Sequence, residues 1–427
     1  MPTDELKRLM ESIPLPDELR ERSRAGIAAA ALERQRPKRR YLERRRGKRA
    51  LAIAAALLAL LVLSAGIANH DRVWAALRKT FQFSPGTGIV TEEESPSERY
   101  VLKKPIVLDI GKGKITITGI LSDEEMTYIT MTGEQAPRID SLELVNEQGE
   151  ALTLKRTMAS WTTDEWTTSF WQKGRLSLKG AIKIRLPLQP AREVEARLEQ
   201  ATAAASYAEL GKTSSVNGLS VTAIADRVGD RARISLVSPP QTSFRIDSYG
   251  IITAARYGSN NPLTVMDETG TPLELSFVRG MGAPQSEFYF PLSDRLGASY
   301  TMSIPEISVA YPEEVTVKLP AVTTEGLNKT FEIAGYPVTI TKTERVKPGS
   351  LRIYTDLHTE EQPDRMLYNL DVDRSSMAKL DDRTGAVEYM EFEVEPNAKS
   401  VTVTFTRPTA VLRGPWIFEW TADEIQP

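Results

Sequence analysis

From Lys114 onward the chain repeatedly alternates apolar and polar residues with a period of two, the spacing of a half-buried strand. Lys114–Thr118 (KITIT), Leu219–Thr222 (LSVT) and Val338–Thr341 (VTIT) each open such a block. Each block later holds a polar turn followed by an apolar strand: Asn146–Leu154 (NEQGEALTL), Asp267–Leu275 (DETGTPLEL) and Asp381–Tyr389 (DDRTGAVEY). The strand openings at 115, 219 and 338 lie 104 and 119 residues apart, and the turn glycines Gly149, Gly270 and Gly385 lie 121 and 115 apart. Two markers with one spacing predict three related units of about 100–120 residues, each the size of a β-sandwich. Their expected bounds are 100–189, 212–322 and 323–427.

Helical spacing is expected in three other places. Val73, Trp74, Leu77 and Phe81 predict a juxtamembrane helix over Asp71–Phe83, followed by a turn-rich linker, Ser84–Ser97 (SPGTGIVTEEESPS), within a 69–99 connecting segment. Pro190–Leu210 reads as a spacer helix over 190–211. Val194, Leu198 and Ala201 share a face there, with a Glu193–Arg197 pair and Gly211 as the stop. Near the N-terminus, two short helices broken by Pro14 and Pro16 set Leu19, Ile27, Ala30 and Ala31 along a thin apolar stripe.

Ala50–Ala68 (ALAIAAALLALLVLSAGIA) departs from all of this: 19 residues without a charge. As a helix it would span roughly 28 Å, close to a bilayer's hydrocarbon core. Ala50, Leu57, Leu61 and Ala68 mark this expected anchor. It begins too far along the chain for an ordinary cleaved signal peptide. Ten basic residues against one Glu over Arg34–Arg49 argue against a buried soluble helix.

Charge sharpens the division. The formal net charge of the 427 residues is −3, but residues 1–49 carry +7 and residues 69–427 carry −10. By the positive-inside rule the N-terminus is cytoplasmic and the β units are extracellular, on a single-pass plasma-membrane protein. The basic run suits anionic lipid; it lacks the interleaved aromatics of a nucleic-acid patch, so no direct nucleic-acid partner is expected. Composition alone favours a solvated or lipid-facing flank, while the apolar stripe offers a docking arm for a cytoplasmic protein.

Candidate chemistry is sparse. There is no cysteine, and the two histidines, His70 and His358, lie far apart in sequence. Asp371-Val-Asp-Arg-Ser-Ser, with Asp382 twelfth, has the outline of a calcium loop but Ser376 where the turn needs glycine. Ser376-Met-Ala-Lys379 matches S-x-x-K without its companion motifs. Trp161, Trp166 and Trp171 cluster within eleven residues, suited to a sandwich core or edge, or, where exposed, to stacking on cell-wall glycan. No catalytic residue, cofactor or metal site is expected, and the expected class is non-enzymatic.

Ile13-Pro-Leu-Pro-Asp-Glu-Leu19, Gly26-Ile27, the basic run, the Ala/Leu-rich anchor and Phe81-Gln-Phe-Ser-Pro-Gly-Thr-Gly-Ile-Val90 stand in a telling order. Over its first 190 residues or so the chain resembles membrane-anchored, anti-sigma-factor-like proteins of Gram-positive spore-forming bacteria, which carry a domain of unknown function. The second unit resembles the immunoglobulin-like domain that often follows there; the third has no such counterpart. The resemblance implies that the cytoplasmic arm sequesters an extracytoplasmic-function sigma factor through Leu15, Leu19 and Ile27. An envelope signal would release it, through cleavage in the 84–99 linker and then in the anchor near Ser64 and Gly66. Residues 1–49 have neither His nor Cys, so such an activity would be zinc-free. The rival reading is a structural or adhesive envelope protein whose β units bind wall polymer or a protein partner.

Overall fold

The computed structural model describes residues 80–425, apart from 95–96, 175–177, 252–260, 278–283, 294, 296, 361–362 and 374. The first strands form a hairpin, β1 (Thr80–Ser84) and β2 (Ile89–Glu93). A first lobe follows: β3 (Tyr100–Val101), β4 (Ile106–Asp109), β5 (Lys114–Ser122), β6 (Met126–Glu134), β7 (Ser141–Val145), β8 (Ala151–Trp161), β9 (Glu165–Lys173), β10 (Gly180–Leu186) and β11 (Arg192–Gln200). Two short elements, β12 (Ala203–Ala204) and helix α1 (Tyr207–Leu210), lead to the second lobe.

That lobe begins with β13 (Lys212–Val216), β14 (Leu219–Val228), β15 (Arg231–Val237), β16 (Arg245–Ser248), β17 (Thr264–Asp267) and β18 (Glu287–Pro291). It continues through β19 (Ser299–Ala310), β20 (Glu314–Pro320), β21 (Lys329–Ile333), β22 (Tyr336–Lys347) and β23 (Ser350–Asp356). It ends with β24 (Arg365–Val372), β25 (Ser375–Leu380), β26 (Val387–Glu393) and β27 (Ser400–Thr421). The fold is mainly β, as the alternation predicts.

In the first lobe β8 pairs with β7 through Ala151–Lys155 and with β9 through Arg156–Trp161. One strand thus turns the corner between two sheets. On the other side two-residue β3 joins β11 to β5. Inward residues such as Ile117, Ile129, Leu144, Leu154, Phe170 and Ile184 fill the space between the sheets. The lobe is a β-sandwich joined at both margins.

The structure corrects the boundaries expected from sequence. The spacer helix over 190–211 is instead strand β11, with helix only at Tyr207–Leu210. Val194 and Leu198 share a helical face with Ala201, but together with Ala196 they also fit period two, and tertiary pairing decides. Glu193 bonds Arg185 and Lys183 across to β10 instead of Arg197 along the chain. The first β unit therefore runs on to Gln200 and does not close at 189.

The units expected at 212–322 and 323–427 are not separate domains. β27, 22 residues long, pairs with β20 through Ser400–Thr406 and with β19 through Thr409–Thr421. It carries the sheet from one half into the other over about 70 Å at strand rise. β13, β14, β15 and β18 cover one stretch of it, where the Trp416 indole donates to the Leu219 carbonyl at 2.9 Å. The sheet of β21, β22, β23, β26 and β25 covers the other, where Phe331 meets Phe405 at 4.9 Å. One continuous core from Leu219 to Ile425 results.

The three repeated turns are one chemical device. Asn146, Asp267 and Asp381 each turn a side-chain oxygen back onto backbone N–H groups two to four residues on. Gly149, Gly270 and Gly385 follow at positive φ and donate to the first residue's carbonyl. This is the Asx-turn chemistry that the acidic turns signal in sequence.

Candidate functional site

The juxtamembrane helix expected over Asp71–Phe83 and the exposed linker 84–97 are contradicted where the structure describes them. Thr80–Ser84 and Ile89–Glu93 pair as a hairpin. Pro85-Gly86 between alternating apolar residues is a hairpin signal that the helical spacing of Val73, Leu77 and Phe81 overrode. β1 also pairs with β12 on its other edge.

The hairpin is clasped between the lobes. On the first lobe its turn lies against β5 at backbone distance. A Cβ on Gly86 would come within 1.8 Å of the Thr118 carbonyl oxygen, and one on Gly119 within 2.8 Å of the Pro85 oxygen. Thr130 Oγ1 donates to the Gly86 carbonyl at 3.0 Å. On the second lobe Phe83 packs with Ile224 of β14 and Val237 of β15, and Phe81 meets Tyr207 of the connecting helix α1 at 4.9 Å.

Arg99 locks this arrangement, with only 3 % of its surface exposed. Its Nε and Nη2 donate to Asp123 Oδ2 at 3.0 and 2.9 Å. Nη2 also reaches Glu93 Oε1 at 2.8 Å, and Nη1 reaches Gln82 Oε1 at 2.8 Å and the Thr91 hydroxyl. Asp123 uses its other oxygen on the N–H groups of Glu125 and Met126. A buried ion pair of this kind is tolerated because its hydrogen-bonding capacity is met. Donation from Arg99 holds the Glu93 carboxyl below its usual 4.5 against a smaller opposing effect of burial, with the Ser97 N–H helping.

A second arginine lies across the seam. Arg233 of β15, 1 % exposed, donates from Nη2 to the Lys103 carbonyl of the first lobe and to Asp226, both at 2.9 Å. Its Nε and Nη1 have no hydrogen-bond partner. Burial opposes its charge, but Glu287 and Asp226 outweigh that and raise its pKa. Glu287 in turn accepts from Tyr289 at 2.9 Å and Ser235 at 3.2 Å. Beside this network a cleft of about 820 Å³ opens between the lobes, lined in part by Phe83, Leu102, Glu195, Ala203, Leu210 and Ile224.

Neither arginine stands out in sequence, because burial of a charge is a tertiary fact. The sequence-predicted site residues Leu15, Leu19 and Ile27, and the anchor residues Ala50, Leu57, Leu61 and Ala68, lie outside the described residues. Among the described residues no helix is long and apolar enough to cross a membrane, and no group of three or more acidic or histidine side chains could hold a metal ion. The calcium-like stretch is not a loop: it runs through strand β25, Asp371 pairs with Arg407, and Asp381 serves its Asx turn. Lys379 of the S-x-x-K match is paired with Glu388 at 2.7 Å. His358 bonds Thr339 at 2.9 Å.

The tryptophan cluster divides across a β8–β9 hairpin in which Trp161 pairs directly with Trp166. Trp166 is buried over Gly133 and donates to the Ala136 carbonyl at 2.8 Å. Trp161 and Trp171 remain 54 % and 44 % exposed.

No protein-family model matches the chain, and no curated protein sequence does. Among solved structures, it is similar to a conserved domain protein from Bacillus anthracis at 11 % identity and a TM-score of 0.19, covering 50 % of this chain and 80 % of that one. Dpr11 IG1 bound to DIP-gamma matches at 11 % identity and a TM-score of 0.12, covering 42 % and 82 %. Dpr2 Ig1-Ig2 in complex with DIP-Theta matches at 11 % and 0.13, covering 47 % and 92 %. At such TM-scores these likenesses carry no argument about fold or function.

Proposed function

We propose that this chain is a single-pass membrane regulator of the anti-sigma-factor kind. Its β body senses the state of the cell envelope. Its N-terminal arm sequesters an extracytoplasmic-function sigma factor through Leu15, Leu19 and Ile27. The observation that carries this reading is the position of the β1–β2 hairpin. It begins twelve residues after Ala68 in sequence and is held at once by Arg99 and Asp123 on the first lobe and by Ile224 and Val237 on the second. Any event that moves the two lobes apart acts on this hairpin, and so on the chain that leads back to the apolar segment. A purely adhesive protein has no need to bury its membrane-proximal strand in the seam between its binding lobes.

The hairpin also changes the release step. Ser84 and Ile89–Glu93 are paired strand backbone, the turn between them is docked on β5 at Gly86, and Arg99 is buried, so a protease reaches this segment only after the clasp opens. Opening, then cleavage, is the proposed order. The test is co-purification of the full-length chain with an extracytoplasmic-function sigma factor encoded beside it. Binding that is lost in the Leu19→Asp/Ile27→Asp double variant supports the reading; no sigma factor retained under mild salt overturns it.

A further inference from the structure

At the end of the first lobe away from its corner strand's inner pairing, Trp161 stands beside two adjoining concavities. One, of about 110 Å³, is lined by Trp161, Trp166, Thr132, Ser160 and Thr167 of the first lobe and by Phe277 of the second. The other, of about 440 Å³, is lined by Asp109, Lys112, Lys114 and Asp164. Glu134 and Glu165 line both. We propose that this groove binds an uncharged pyranose oligosaccharide, with one sugar ring on the Trp161 indole.

The chemistry of the lining selects that class. The Trp161 ring is steadied by the Arg138 guanidinium, 4.5 Å from its centroid, and still leaves over half of its surface to solvent. A flat ring held in one orientation offers large contact area at little entropic cost, and the C–H face of a pyranose fits it. Around it stand hydroxyls and carboxylates, the few convergent polar groups that fix a ligand's orientation. Glu134 and Glu165 face each other directly across β6 and β9, a like-charge pairing that costs stability in an antiparallel sheet. Lys114 answers Glu134 at 2.9 Å, whereas the Glu165 carboxylate has no partner among the described residues. Sugar hydroxyls donating to Glu165 would relieve it. Four carboxylates along the groove, against Lys112, Lys114 and the neighbouring Arg138, disfavour a uronic acid or other polyanion.

Phe277 gives the site its place in the protein. It brings the second lobe to the first lobe's aromatic tip, so a bound sugar touches both sides of the seam that clasps the hairpin. This deepens the sensing reading by naming the ligand class, yet it is tested by binding alone and does not depend on any sigma factor.

The experiment is calorimetric titration of the full-length chain in detergent with the tetramer of N-acetylglucosamine, and in parallel with a galacturonate tetramer. Saturable binding of the neutral tetramer is expected, with the galacturonate at least tenfold weaker. Trp161→Ala should weaken binding at least tenfold and Glu165→Gln several-fold, while Trp161→Phe retains part of it. Trp171→Ala, on a different part of the sheet, should bind as the parent does. Absence of neutral-tetramer binding, or Trp161→Ala binding as tightly as the parent, overturns the proposal. Because Trp161 is exposed, unchanged circular dichroism of the variant would separate lost binding from lost fold.

Discussion

Arg99 and Asp123 form a buried pair in which two guanidinium nitrogens share one carboxylate oxygen at 3.0 and 2.9 Å. The pair joins the residue just before β3 to the turn after β5, and through Glu93, Gln82 and Thr91 it fastens the hairpin to the first lobe. Removing one partner leaves the other charge buried and uncompensated. Arg99→Met should therefore cost about 3–5 kcal/mol of stability, and Arg99→Lys should recover little, since one ammonium cannot reach the same four side chains. Denaturant unfolding of both variants checks this.

Gly86 and Gly88 allow a paired comparison. Both sit at positive φ, +71° and +68°, so alanine at either costs about 1–3 kcal/mol in backbone strain. Only Gly86 also lies against backbone, at the Thr118 carbonyl; the neighbour of Gly88 is the Ser286 hydroxyl at 3.3 Å. Gly86→Ala should thus expose the hairpin to limited proteolysis between 84 and 94, and Gly88→Ala should leave it largely protected. Equal cleavage of the two would contradict the close docking of the turn on β5.

The clasp should weaken in acid. Glu93 has a folded pKa depressed below its usual 4.5, chiefly by Arg99. A depressed carboxylate contributes stability that is fully present above the unfolded pKa and lost as pH falls through the folded one. Hairpin protection, followed by hydrogen exchange, should hold above pH 4.5 and fall below it. Glu93→Gln should flatten that acid limb; an unchanged profile would remove Glu93 from the account.

The second lobe should respond as one body. Trp416 is fully buried and holds β27 to β14, so Trp416→Ala should cost about 3–5 kcal/mol. Because β27 also runs into the half covered by β22 and β23, amide protection should decline in β14 and in β22 together. Loss confined to β14 would mean that the two halves are independent domains.

The sequence was most legible where local chemistry and tertiary structure agree. The strands opening at Lys114, Leu219 and Val338, and the turns at Asn146, Asp267 and Asp381, each carry their own signal, and the structure has all six. It misled where a segment satisfies two periods at once. Arg192–Gln200 reads equally as helix or strand until Glu193 finds Arg185 and Lys183 on β10. The seam was not legible at all. Arg99 and Arg233 look like surface charges among many, and only a fold that brings Glu93, Asp123 and Lys103 to them makes them structural. The aromatic cluster was half legible: proximity in sequence was evident, but the turn at Thr162–Glu165 that buries one indole and exposes the next was not.

The central claim is that the β body restrains a sigma factor through the clasped hairpin. Its most direct test is a reporter of sigma-dependent transcription in cells carrying the full-length chain, Arg99→Met, or a deletion of residues 1–33. Transcription should be low with the parent chain and should rise with both variants, since one opens the clasp and the other removes the binding arm. Transcription unchanged by both would contradict the account.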